Sequence, residues 1–214
     1  MIIVVAGPTG VGKTRLSVEL AKRYNAEVIN ADSMQVYKEL NIGTAKVTET
    51  EKENVPHHLF DIKNPDELYT VYDYQRDLRN ILDNNKDKNY IIVGGTGLYI
   101  KAGLYDYKFT EEEKNNNSYD NYSNEELKRL VDEKYPQNDI HENNRKRLVR
   151  ALNKESEYDE SGNNLLYPAI FIGLTTDRDN LYKRIDDRVD VMLRDGLLEE
   201  VKTLYDKDCR ELFS

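Results

Sequence analysis

Apolar residues along the chain fall into short runs separated by helical stripes. The run Ile2, Ile3, Val4, Val5, Ala6 has the length and β-branched content of a buried strand. Beyond it Leu16, Leu20, Ala21 and Tyr24 recur at the spacing of one helix face. Glu27 to Ala31 reads as a second short strand, Tyr90 to Val93 as a third and Ala169 to Leu174 as a fourth, all buried, and Pro56 to Ile62 as a further extended piece. Thr70-x-x-Asp73 has the form of a carboxylate capping box, opening a helix with Val71, Tyr74, Leu78 and Ile81 on one face. Leu98 to Ala102 starts another helix after the third strand. A later helix carries Leu181, Ile185, Val189 and Met192 on one face and Arg184 and Arg188 on a neighbouring one; Gly196 ends it, and a short helix follows through Val201, Leu204 and Tyr205. Strands alternating with amphipathic helices predict an α/β fold, a parallel sheet flanked by helices.

The pattern lapses between Tyr107 and Asn138, where polar and charged residues dominate until Leu127, Leu130 and Val131. Ser123-x-x-Glu126 caps a short helix there. The expected organisation is a first part of the core over 1–106, a small helical insert over 107–140, and a return to the core over 141–214. The returning part opens with a basic helix, His141 to Leu152, that packs the four cations Arg145, Lys146, Arg147 and Arg150 into six positions. Arg147 and Arg150 lie three apart and share a face suited to a phosphate tract; a solvated basic face is the equal alternative.

Candidate chemistry begins directly after the first strand. Gly7-Pro8-Thr9-Gly10-Val11-Gly12-Lys13-Thr14 fits G-x-x-x-x-G-K-[ST] in the strand-loop-helix context that this phosphate cradle requires. Backbone amides and the helix N-terminus converge on an anion, Lys13 adds a point charge, and Thr14 offers a hydroxyl to Mg²⁺. The fold is therefore expected to be P-loop NTPase-like, although such a loop holds ATP, GTP or another pyrophosphate equally well. Asp32 and Ser33 follow the second strand, at the edge where ligands of open parallel sheets bind. A turn or helix cap explains that Asp as well as a functional role does. The third strand ends in Gly94-Gly95-Thr96-Gly97, where many P-loop ATPases place an Asp for the metal shell.

Composition adjusts this picture in three ways. The net charge of -9 disfavours long-range attraction to nucleic acid but leaves local basic patches effective within a Debye length of roughly 8–10 Å. The single Cys209 precludes an internal disulfide framework. No apolar run is long enough to span a bilayer and no leader pattern precedes the first strand, so a cytoplasmic protein without membrane partners is expected. Three histidines, His57 and His58 adjacent among them, offer only a weak basis for a metal site.

Taken in order, the P-loop, Asp32-Ser33-Met34-Gln35-Val36-Tyr37, Ile42-Gly43-Thr44-Ala45-Lys46, Pro56 to Ile62, Val93 to Tyr99 and the basic helix resemble the tRNA dimethylallyltransferases, also called tRNA isopentenyltransferases. The resemblance runs from residue 1 to about 207. It implies transfer of the dimethylallyl group of dimethylallyl diphosphate to N6 of the adenosine 3′ of the anticodon, in tRNAs that read codons beginning with U. Asp32 would be the general base. Lys13, Arg188, the P-loop amides and Mg²⁺ held through Thr14 would steady the diphosphate. Ser33, Met34, Gln35 and Thr96, with Asp32, would meet the flipped nucleotide, and Arg145, Lys146, Arg147 and Arg150 the tRNA backbone at the anticodon stem-loop. The insert matches one that leans on the anticodon stem, but is short and acidic. A monomer is expected. Members of the family continue for roughly another third of their length, so the resemblance also implies that diphosphate binding is better preserved here than tRNA binding or turnover. A P-loop nucleoside or small-molecule kinase, with Asp32 as base toward a hydroxyl, and a non-catalytic nucleotide- or RNA-binding remnant are the alternatives.

Overall fold

The computed structural model describes residues 1–109, 119–153 and 162–207. The chain divides into two compact units, Met1–Tyr107 with Gly162–Ser214, and Lys108–Ser161. Strands β1 (Ile2–Ala6), β2 (Ala26–Asn30), β3 (His57–His58), β4 (Asn89–Gly94) and β5 (Ala169–Gly173) form one sheet in the order β3-β2-β4-β1-β5. Every pairing is parallel. The helices are α1 (Lys13–Tyr24), α2 (Glu49–Lys52), α3 (Val71–Asn84), α4 (Gly97–Leu104), α5 (Asn124–Lys134), α6 (Arg145–Asn153), α7 (Arg178–Arg194) and α8 (Leu197–Asp206). α5 and α6 belong to the second unit.

The central strands are apolar on both faces because both are covered. Val4, Ile29 and Ile92 join Tyr74 and Leu78 of α3 and Leu104 of α4 in one core. Ile3, Val5, Val28, Ile91 and Val93 join Ala21 of α1 in the other, the alternation that a pleated strand imposes. The parallel register aligns Ala6 with Gly94 and Asn30 with Val93, so the chain leaves β1, β2 and β4 along one edge. The capping box at Thr70 and Asp73 forms as expected: Asp73 N–H donates to Thr70 Oγ1 at 3.2 Å and Thr70 N–H to the Asp73 carboxylate at 2.9 Å. Ser123 and Glu126 do the same for α5.

Four expectations need correction. β5 is not a buried strand: Ile170 is 57% and Phe171 46% exposed, because the strand pairs only with β1 and lies at the sheet edge. α7 contains no buried residue, and its half-covered stripe is Leu181, Ile185, Arg188 and Met192, with Arg188 inward where Val189 was expected. Of Pro56 to Ile62 only His57 and His58 pair; Leu59 and Asp61 turn left-handed at φ 61° and 54°. The insert does not close at 140, since α6 packs on α5 through Leu127, Val131 and Leu148, and the second unit therefore runs to Ser161 with the basic helix inside it.

Candidate functional site

The P-loop sits where β1 meets α1. Gly12 caps α1 at φ 89°, in the left-handed region that favours glycine, and no side chain caps this terminus. The first-turn amides of the helix are thereby directed to an anion. Lys13 Nζ donates to the carbonyls of Gly7 at 2.9 Å and Pro8 at 2.7 Å, which holds the ammonium against the loop. Thr14 is half-buried in the first turn, and its carbonyl accepts the hydroxyl of buried Ser17 at 2.7 Å. Arg184 of α7 reaches the loop from outside, its Nη1 3.4 Å from the Gly10 carbonyl.

Three charged groups from separate elements share a field here. Burial pushes the Lys13 pKa down; the Asp32 carboxylate opposes that shift, and the Arg188 guanidinium adds to it. Burial also lowers the Arg188 pKa, again against Asp32. Asp32, Lys13 and Arg188 are thus brought together from the end of β2, the start of α1 and the inward stripe of α7.

Asp32 is held on several sides. The fully buried Asn30 accepts from the Asp32 N–H at 2.9 Å, while its Nδ2 donates to the Asp32 carbonyl at 2.9 Å and the Leu59 carbonyl at 3.0 Å. Met34 N–H donates to Asp32 Oδ1 at 2.9 Å, and the Met34 side chain packs on the core. Ser33 N–H donates to Thr96 Oγ1 at 3.1 Å, and Thr96 N–H to the Ala31 carbonyl at 3.1 Å. Gly94 makes this junction possible, since a Cβ there would lie 2.1 Å from the Ala31 carbonyl oxygen. Gln35 Nε2 donates to the Thr44 carbonyl at 2.9 Å. Asp32, Ser33, Met34, Gln35 and Thr96 therefore form one cluster. Beside β1 and α4, Val4, Ala6, Ile100, Tyr105 and Phe171 line a largely apolar cavity of about 370 Å³.

The cations of α6 have different surroundings. Arg145 is committed within its own unit, donating to the carbonyls of Tyr119 at 2.6 Å and Tyr122 at 2.7 Å and to Asn124 Oδ1 at 3.2 Å. Lys146 and Arg147 are exposed, the latter 3.8 Å from Asp139. The side chain of Arg150, like Cys209, lies outside the described residues.

Residue patterns alone overlooked two members of this site and underweighted a third. Asn30 reads as one more strand position, with only its polarity at the end of an apolar run as a signal. Glu200 carries no local signal, although its carboxylate grips the loop after Leu40. Arg184 stands one turn before Arg188 in the sequence, but nothing local marks its approach to the Gly10 carbonyl. Among the described residues no group of three His, Cys, Asp or Glu side chains is arranged to hold a metal. Thr14 and the oxygens of a bound diphosphate fit Mg²⁺, which keeps several waters and needs few protein ligands. No described helix is long and apolar enough to cross a membrane.

Comparison with known proteins places these features in context. Residues 35–213 match the model of the IPP transferase family. The tRNA dimethylallyltransferase of Bacillus subtilis is 46% identical over 229 residues, covering 98% of this chain and 73% of that protein. The crystal structure of the tRNA isopentenylpyrophosphate transferase of Staphylococcus epidermidis superposes with a TM-score of 0.69 at 37% identity, covering 97% of this chain and 74% of that one. A eukaryotic dimethylallyltransferase acting on tRNA gives a TM-score of 0.79 at 31% identity, with 96% and 56% covered. None of these relatives favours a kinase or a non-catalytic remnant.

Proposed function

The chain belongs to the IPP transferase family, and from that premise we infer that it transfers the dimethylallyl group of dimethylallyl diphosphate to N6 of the adenosine 3′ of the anticodon, in tRNAs that read codons beginning with U. The exocyclic amine is a poor nucleophile because its lone pair is delocalised into the ring. As N6 forms its bond to C1 of the donor, the C1–O bond breaks and its electron pair leaves with the diphosphate. Asp32 takes the N6 proton, a contribution typically of about 10²–10⁴ in rate. The P-loop amides of Thr9 to Gly12, Lys13, Arg188 and Arg184 meet the charge that gathers on the leaving diphosphate. Thr14 is the protein ligand for the Mg²⁺ that the family implies, which when bound supplies further positive charge there.

The observation that carries this reading is the P-loop geometry, with Lys13 Nζ held at the Gly7 and Pro8 carbonyls and Arg184 at the Gly10 carbonyl, and with the Asp32 carboxylate opposing the lowering of the Lys13 and Arg188 pKa values by burial. The five-carbon tail suits the apolar cavity beside Val4 and Ile100; its burial contributes roughly 3–4 kcal/mol at about 0.8 per CH₂. The target base leaves its stack to react, and Ser33, Met34, Gln35 and Thr96 receive it. Lys146, Arg147 and Arg150 meet the anticodon-stem backbone as sequence-neutral contacts, whereas Arg145 holds its own unit together. We assign the activity to a monomer in the cytoplasm.

Calorimetric titration with dimethylallyl diphosphate and with ATP, followed by nuclease mapping of tRNA treated with labelled donor, tests the assignment. Tighter binding of dimethylallyl diphosphate and label confined to the adenosine after the anticodon are expected. Preference for ATP, or label elsewhere, overturns it.

A further inference from the structure

Glu200 of α8 makes a set of contacts that the reaction above leaves unused. Its Oε2 accepts the N–H groups of Asn41 and Ile42, each at 2.8 Å, and its Oε1 that of Gly43 at 2.9 Å, 157 residues earlier in the chain. Consecutive amides converging on one carboxylate form an anion nest, and bonds to an ionised acceptor are about twice as strong as neutral ones. The gripped loop runs directly into Thr44, whose carbonyl accepts Gln35 Nε2. Beneath it the buried ammonium of Lys46 donates to the Tyr37 carbonyl at 2.6 Å, Asn41 Oδ1 at 3.0 Å and Asp61 Oδ1 at 2.6 Å. α8 is itself anchored, because Leu204 is buried in the same core as Val36, Tyr37 and Leu40. Leu197 lies over Gly43, with its Cδ1 3.3 Å from where a Cβ would stand.

We propose that Glu200 is a positioning residue for the side of the site that reads the base. It fixes residues 41–43, these fix the Thr44 carbonyl, and that carbonyl fixes the Gln35 carboxamide, three residues after Asp32 in the chain. With Nε2 committed to the Thr44 carbonyl at 2.9 Å and also within 3.5 Å of the Ala45 carbonyl, the carboxamide turns its Oε1 acceptor away from both, a direction that complements an exocyclic amine and opposes a keto oxygen. Specificity for adenosine over an oxo-purine is thus set in part from α8. The diphosphate is held by other residues, Lys13, Arg184, Arg188 and the loop amides, so the donor side is independent of this clamp.

The inference rests on Gln35 meeting the target base, and the test separates the two claims. Hydrogen exchange of the amides of residues 41–43 is measured in the wild type, in Glu200→Gln, and in Leu197→Ala, which disturbs packing on the same loop without removing an acceptor. Affinities are measured in parallel for dimethylallyl diphosphate and for anticodon stem-loop RNAs with adenosine or inosine at the target position. Glu200→Gln is expected to speed exchange at 41–43 by about tenfold. It should also lower the adenosine-over-inosine preference by about fivefold or more, the scale of one misplaced hydrogen bond, with donor affinity within about twofold. Leu197→Ala should keep the preference. Unchanged exchange in Glu200→Gln, an unchanged preference, or an equal loss of donor affinity each overturns the proposal. A wild type that does not prefer adenosine refutes the assignment of Gln35, and with it the reading role of Glu200, while the exchange data still decide whether the carboxylate holds the loop.

Discussion

A carboxylate serves as a base only where its oxygens are aimed; for Asp32, the proposed base, the Met34 N–H holds Oδ1 and Asn30 fixes the main chain that carries it. The Asn30 side chain is fully buried and binds both the N–H and the carbonyl of Asp32. Asn30→Ala is expected to cost about 1–3 kcal/mol in stability through the polar groups it orphans, and to slow transfer more than it weakens donor binding. Chemical denaturation and single-turnover rates check the two parts. Lys13→Ala removes a cation from the diphosphate side, and by the usual cost of one such donor transfer should slow by about 10²–10³. His57 provides a pH signature. Its Nδ1 donates to the Val55 carbonyl at 2.7 Å, which leaves Nε2 buried without a partner among the described residues. Burial holds its pKa below the ordinary value, against the pull of the Val55 carbonyl. The folded state thus binds fewer protons than the unfolded chain below about pH 6.5. Stability is full above that pH and declines as pH falls through it; His57→Gln should flatten the decline in unfolding curves recorded across that range. An equal slope in the variant contradicts the assignment.

The strands and helices of the core were legible in the residue pattern because each satisfies its own local rule: β-branched runs for β1 and β4, capping boxes for α3 and α5, a glycine-rich turn before α1. What the pattern does not carry is lateral position. Ala169 to Gly173 has the apolar content of β4 but lies at the sheet edge, so Ile170 and Phe171 remain exposed. Phe171→Ser is therefore expected to cost under about 1 kcal/mol, whereas Ile91→Ala, fully buried in β4, should cost about 2–5. Denaturant midpoints of the two variants decide this; equal losses would mean that β5 is covered in solution. The same limit applies to the site. Asp32, Ser33 and Thr96 stand at strand ends and can be read from sequence, but Asn30 and Glu200 act through contacts between distant segments. Arg188 occupies the inward stripe with the Asp32 carboxylate as its attractive partner, a position that hydrophobic periodicity alone would assign to Val189.

At the scale of the molecule, two substrates of like charge must meet on a chain whose net charge is -9. On the proposed assignment the donor meets Lys13, Arg184 and Arg188 while the tRNA backbone meets Lys146, Arg147 and Arg150, so the salt dependence of tRNA binding should be shallow. Reversing Arg147 to Glu is expected to lower the slope of log affinity against log salt by about one contact's share, 0.7–0.9, and to leave donor binding alone. The chain spans 73% of the length of the tRNA dimethylallyltransferase of Bacillus subtilis, and its described residues hold the P-loop together with the Asp32 and Thr96 cluster. The account therefore stands on whether that cluster performs transfer and whether Asp32 is its base. Single-turnover transfer from labelled dimethylallyl diphosphate to tRNA, by the wild type and by Asp32→Asn with donor affinity measured alongside, tests this most directly. The account predicts transfer by the wild type and a loss of at least about 10² in the variant, with donor affinity nearly unchanged. An Asp32→Asn rate equal to that of the wild type would contradict it.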